Sequence, residues 1–238
     1  MKKGFTLAEV LIALGIIGVV AVLSMPILMS NYKKRITEVR LQQTWSILNN
    51  AVGMAKVTHG DVEGWDFSLP VDQFVGIYLS DVFKNVDEKY NHNVNANGMA
   101  GSPYSLVLAN GSRLTLYRYR VLGGTYYYLM IFVDINDSQK PNALGLDRFY
   151  FYLVPKARNI YNTGTGDALW NVPRAGLYYD GYGLSVKNLK TNIWRGCSDT
   201  EILLPNGDKN AGNAQGAYCV ALIAKNNWKI PDDYPKKF

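Results

Sequence analysis

Lys2-Lys3-Gly4-Phe5-Thr6-Leu7-Ala8-Glu9 opens the chain, and from Val10 to Met29 twenty residues follow without a charge. As a helix that run is about 30 Å long, the thickness of a bilayer core, so it can span a membrane once. Glu9 sits at the mouth of the run, and the next charge is Lys33. An unpaired carboxylate near the end of a spanning helix costs a few kcal/mol, so it marks a functional residue that needs a partner. A secretory signal peptide also begins with basic residues. Its apolar segment, however, is only about 7–15 residues long, carries no acid and ends at a small-residue cleavage site. Glu9 and the length of the run both argue against that reading.

Beyond Pro26 the apolar residues Tyr32, Ile36, Val39, Ile47, Leu48, Ala51, Val52 and Ala55 recur at steps of three and four between charged and amide side chains. That spacing predicts an amphipathic continuation of the same helix. Pro26 removes a backbone donor and crowds the preceding turn, which predicts a kink or local melting there. Gly60 and Gly64 end the helix. With 238 residues, 48% hydrophobic and 18% charged, the chain can bury one substantial core, and 13% aromatic content excludes general disorder.

The amino terminus resembles a class III prepilin, the precursor of type IV pilins and of type II secretion pseudopilins. The residues that carry the resemblance are Lys2, Lys3, Gly4, Phe5 and Glu9, then the apolar run with Gly18 inside it and Pro26 near its end. In that family an aspartyl prepilin peptidase in the membrane cuts after the glycine, here Gly4, and methylates the new first residue, here Phe5. Glu9 then becomes the fifth mature residue. The resemblance implies that its carboxylate pairs with the amino group of Phe5 on a neighbouring subunit, and a buried carboxylate and ammonium do become tolerable in hydrocarbon when they meet. It also implies that Gly18 and Pro26 mark where the helix bends or unwinds in a filament.

Orientation has opposing cues. Lys33, Lys34 and Arg35 after the span outnumber Lys2 and Lys3 before it, which by the positive-inside rule alone would leave the large domain in the cytoplasm. The resemblance implies the reverse: a cytoplasmic leader in the inner membrane, a single pass, and a periplasmic or extracellular domain. Cys197 and Cys219, the only cysteines, suit one disulfide in an oxidising space, with buried free thiols as the other reading. The bridge would close about twenty residues and contribute roughly 3 kcal/mol in the chain-entropy model. Its position resembles the carboxy-terminal disulfide-bounded region of type IV pilins. Removing Lys2 and Lys3 with the leader takes the net charge from +6 to 6 − 2 = +4, a mild excess that permits attraction to DNA or anionic surfaces.

The expected organisation is a leader at residues 1–4, a transmembrane assembly helix at 5–30, an amphipathic stalk at 31–57 and a globular domain at 58–238. A short helix is expected from Val71 to Phe83, and Asn91 to Gly98 is a polar loop. Tyr104 to Ala109 and Arg113 to Arg120 flank Asn110-Gly111, the strongest short hairpin signal. Tyr126 to Val133 and Phe149 to Val154 supply two further strands. The fold class is therefore α+β, an antiparallel meander packed on the long helix. From Pro155 to Gly196, repeated glycines (164, 166, 176, 181 and 183) argue against any regular element. A last helix is expected from Asn213 to Lys225, with Cys219 on its apolar side.

Candidate chemistry is sparse. Asp134, Asn136, Asp137, Ser138 and Asp147 gather hard oxygens of the kind a structural calcium takes. The EF-hand pattern fails there, with Gln139 at the turn-glycine position and Gly145 at that of the bidentate acid. A non-EF calcium loop and a plain Asx-rich turn remain as readings. His59 and His92 lack partners at metal-ligand spacing, and no nucleophile elbow, phosphate loop or dinucleotide fingerprint occurs, so an enzyme is not expected. The tyrosines at 126–128 and at 178, 179 and 182, with Arg118, Arg120, Arg174 and Lys187, could stack on sugars or single-stranded DNA. The ordinary reading is sheet packing. Trp228 and Tyr234 are expected to dock back onto the domain.

These readings together describe a structural subunit of a type IV pilus or secretion pseudopilus, with a minor pilin binding DNA, glycan or secreted cargo at a filament tip as the alternative. The partners this implies are prepilin peptidase, other pilin subunits, and an inner-membrane assembly platform with its ATPase.

Overall fold

The computed structural model describes residues 6–83, 102–120, 126–137, 139–159, 171–192, 194–199 and 214–238. Gly4, Phe5, Ser138, the loop around His92, and the glycines at 164 and 166 lie outside the described residues. Helix α1 runs unbroken from Leu7 to His59, 53 residues or about 80 Å. Local melting at Pro26 is not seen. The Ser24 hydroxyl donates to Val20 O (2.8 Å) in the turn before it, and the helix continues through the proline.

The buried seam of α1 consists of Thr37, Leu41, Thr44, Leu48, Ala51, Val52 and Ala55. This corrects the apolar pattern: Tyr32 is 60% exposed and Val39 39% exposed, while two threonines take their place. A buried hydroxyl is tolerated when it is bonded. Thr37 Oγ1 donates to Leu146 O (3.1 Å) and Thr44 Oγ1 to Ser112 Oγ (3.1 Å).

That seam lies on one face of a five-stranded antiparallel sheet. Its strands are β1 (Tyr104–Val107), β2 (Arg113–Arg120), β3 (Tyr127–Asp134), β4 (Arg148–Val154) and β7 (Gly176–Tyr179), in that spatial order. The minor pair β5 (Arg158–Asn159) and β6 (Asn171–Val172) forms a separate ribbon. Alternation along each strand sends Leu114 and Leu116, then Leu129, Ile131 and Val133, then Phe149, Phe151 and Leu153 into the core with α1. Trp45 of α1 stacks on Phe151, ring centroids 5.5 Å apart.

The expected hairpin is present with a three-residue connection. Gly111 (φ +81°) closes it, its N–H donating to Leu108 O (2.9 Å) while Leu108 N–H donates to Ser112 O (2.8 Å). Left-handed backbone at that position is what glycine supplies without steric cost. The helical stretch expected from Val71 to Phe83 is α2 (Val71–Phe74), a π-turn (Val75–Leu79) and α3 (Ser80–Phe83).

Regular elements arise between Pro155 and Gly196 where none was expected: the β5–β6 ribbon, β7 and α4 (Val186–Thr191). β7 follows Gly176, and α4 is capped by Ser185, whose hydroxyl accepts from Asn188 N. The final helix α5 spans Cys219–Lys225, shorter at its start than the sequence pattern suggested because the stretch from Gln215 to Tyr218 is a turn.

Candidate functional site

Thr6 and Glu9 form a reciprocal cap at the start of α1. The Thr6 N–H and hydroxyl each donate to Glu9 Oε2 (2.8 Å both), and Glu9 N–H donates to Thr6 Oγ1 (3.3 Å). The pattern Thr-x-x-Glu before an apolar run is the capping-box signature, so the part of Thr6 was readable in the sequence although only Glu9 was singled out. The carboxylate stands at the positive end of the helix dipole, where a negative charge is favoured.

The apolar residues that follow are bare. From Leu7 to Met29 no residue is buried by the rest of the fold, and Leu7 is 81% exposed. Among the described residues, α1 is the one helix long and apolar enough to cross a membrane. Gly15 and Gly18 have open space where a side chain would sit, which makes them points at which another helix backbone could approach closely.

The carboxy-terminal part of the domain is closed by the Cys197–Cys219 disulfide. Its two arms also pair through the backbone, Gly216 N–H donating to Gly196 O (2.8 Å) and Tyr218 N–H to Arg195 O (3.0 Å). Arg195 ties this region to the sheet. Its Nε donates to Asp180 Oδ2 (3.1 Å), its Nη2 donates to the same carboxylate oxygen and to the Tyr152 hydroxyl (2.8 Å), and Asp180 is fully buried. Burial pushes the Asp180 carboxyl up, and Arg195 and Tyr152 pull it back. Burial works most strongly against the charge on Arg195, but the Asp180 carboxylate together with the Tyr152 and Tyr218 hydroxyls outweighs it and the guanidinium stays a cation. No sequence motif announces this pair, because nothing in the stretch around Asp180 distinguishes it from a turn aspartate.

The chain end docks back, as expected for Trp228 and Tyr234. Trp228 packs on Trp45 (5.5 Å). Tyr234 is buried, with its hydroxyl donating to Gly145 O. Glu38 of α1 holds the same segment, accepting from Lys229 Nζ (3.0 Å) and Ile230 N (2.9 Å).

The four candidate calcium ligands that are described come together but are otherwise engaged. Asp134 pairs with Arg148 (3.0 Å) and Asp137 with Arg113 (2.5 Å). Asp147 accepts from Asn142 N (2.7 Å), Ala143 N (2.7 Å) and Asn136 Nδ2 (3.2 Å). Of these four side chains, Asn136 has its Oδ1 buried without a partner. Among the described residues no group of three or more His, Cys, Asp or Glu is arranged for a metal. Two guanidiniums inside the donor set repel a cation, so these residues do not fit calcium; they form an Arg-clamped turn.

The tyrosines are largely packing residues. Tyr178 is buried, and Tyr179 meets Trp45 (5.6 Å) and Trp228 (6.2 Å). Arg118 lies over Tyr127 and Lys156 over Tyr126. His59 stands edge-on to Tyr78 (5.2 Å).

Comparison with known families gives two matches. Residues 27–238 match a family described as a family of unknown function (DUF6613). Residues 1–25 match the prokaryotic N-terminal methylation motif. No curated protein and no solved structure matches the chain.

Proposed function

This chain belongs to the DUF6613 family and is a type IV pilin-like or pseudopilin-like protein with a role in filament assembly, and we propose that it is a structural subunit of a type IV pilus or type II secretion pseudopilus. Prepilin peptidase cuts between Gly4 and Phe5 and methylates Phe5. The subunit waits in the inner membrane with its domain outside the cytoplasm, and an assembly platform with its ATPase lifts it into the filament. Glu9 supplies the charge that the amino group of a neighbouring Phe5 needs, and Gly18 and Pro26 let the helix bend as it packs.

The observation that carries this reading is the methylation motif in front of an apolar helix that its own fold leaves bare. Such a surface is not stable in water and needs either lipid or like helices around it. Intact and amino-terminal mass analysis of membrane-extracted native protein, with and without reduction, tests it. The expected product starts at methylated Phe5 and gains two hydrogens on reduction. A retained Met1, or a cut beyond Met29, would overturn the proposal.

A further inference from the structure

We infer that Tyr32, Lys33, Lys34 and Arg35 form a collar that binds the phosphates of anionic phospholipids on the domain's side of the membrane. The inference rests on the membrane-spanning reading of α1.

The four residues follow one another inside α1, starting three residues after Met29. Consecutive helical residues turn by 100° and rise 1.5 Å. Together they encircle the helix within an axial span of about 4.5 Å. A protein partner touches one side of a helix, whereas a ring at a single depth matches a planar boundary. Tyr32, Lys33 and Arg35 are exposed and Lys34 is half-buried. An amphipathic ring at headgroup level beside cations reaching phosphate is the physics of an interfacial anchor.

No carboxylate neutralises these cations among the described residues. Between Val10 and Thr37 the sequence has no acid. Glu38 stands three residues after Arg35 and four after Lys34, the helical spacings at which an ion pair would form. It is turned instead to the carboxy-terminal segment, bonded to Lys229 and the Ile230 N–H, and its side chain is only 13% exposed. The base of the domain carries two further exposed lysines. The loop carrying exposed Lys140 reaches α1 through Leu146 O at Thr37, and Tyr234 joins the segment carrying exposed Lys237 to Gly145. Asp233 on that segment is occupied by Lys190 (2.5 Å). Asp232 on the same segment is exposed, so the cations complementary to lipid phosphate where α1 leaves the apolar layer are those of the collar itself, Lys33, Lys34 and Arg35.

The test uses the full chain reconstituted in vesicles of phosphatidylcholine with about one quarter phosphatidylglycerol, a lipid mixture with a negative surface. Carbonate washing first checks that the chain remains in the bilayer. Native mass spectrometry after mild extraction then counts retained lipids of each kind. Wild-type chain should retain phosphatidylglycerol over phosphatidylcholine, with the preference falling about fivefold for each cation replaced in Lys33→Gln, Arg35→Gln and the triple variant with Lys34→Gln. Equal retention of both lipids by wild-type chain, or an unchanged preference in the triple variant, would overturn the collar and leave the anchor standing. Loss of wild-type chain on carbonate washing would overturn the anchor and the collar together.

Discussion

Replacing Arg195 by leucine leaves the Asp180 carboxylate buried with the Tyr152 hydroxyl as its remaining side-chain partner. Breaking a buried pair from one side costs about 3–5 kcal/mol, because the charge left behind is uncompensated. For a chain of this size each kcal/mol moves the midpoint by roughly 2–4 °C, so Arg195→Leu should lower Tm by roughly 6–20 °C. The pH dependence has a definite sign. Burial already pushes the Asp180 carboxyl up, and removing the guanidinium removes the main force opposing it. The folded variant then holds the proton more tightly than the unfolded chain does. Its deficit is smallest below the unfolded carboxylate range near pH 3.9, grows as pH rises toward the raised folded value, and is constant above it. Replacing Asp180 by leucine as well should recover most of the loss, since the costly species is the lone charge. Thermal unfolding of the oxidised chain, followed by near-ultraviolet dichroism at several pH values, reads all of this. A Tm within about 2 °C of wild type for Arg195→Leu, or a double variant as unstable as the single one, would refute the reasoning.

Three further outcomes follow from local geometry. Gly145 has φ +83°, and an added Cβ would come 2.5 Å from Cys219 Sγ, so Gly145→Ala should cost roughly 2 kcal/mol or more in denaturant unfolding. Glu38→Ala removes both the Lys229 pair and the acceptor for the Ile230 N–H; it should cost about 1–2 kcal/mol and speed hydrogen exchange at Ile230. Millimolar calcium or a chelator should leave Tm unchanged, because Arg113 and Arg148 occupy the carboxylates of the Asp134 turn; a calcium-dependent rise would place Asn136 Oδ1 in a ligand set instead.

The long helix, the meander and the disulfide were legible because each rests on a local signal: an uninterrupted apolar run, alternation about Asn110-Gly111, and a lone cysteine pair. The errors fall where tertiary contacts decide. The apolar pattern passed over Thr37 and Thr44, yet Leu146 O and Ser112 Oγ, 109 and 68 residues away, satisfy their hydroxyls in the core. The stretch holding β7 read as irregular because its glycines outweigh four strand residues; pairing with β4 supplies what propensity lacks. The Asp134 cluster left a calcium loop and an Asx-rich turn both open, because spacing shows carboxylates and hides the arginines folded against them. Thr6 was different, since its capping pattern was plain in the sequence but was eclipsed by the acid beside it.

Two halves of α1 meet different demands. From Thr37 to Ala55 the helix is held by its own domain, and before that its apolar side chains, from Leu7 to Met29, touch nothing in the fold. Lipid chains and neighbouring helices are similarly apolar, so moving this segment from one to the other is close to neutral, and small local contacts decide where it rests. Glu9 is the one carboxylate on that segment. In the isolated subunit Thr6 already satisfies its oxygen, so the acid can wait at the membrane boundary without a counter-ion. In the proposed assembly a neighbour's amino group would have to outcompete a hydroxyl and an N–H, a contest a full positive charge wins in a low-dielectric setting. On that proposal the cap lowers the cost of an unpaired acid in the bilayer while leaving a charge for a correctly registered partner to neutralise.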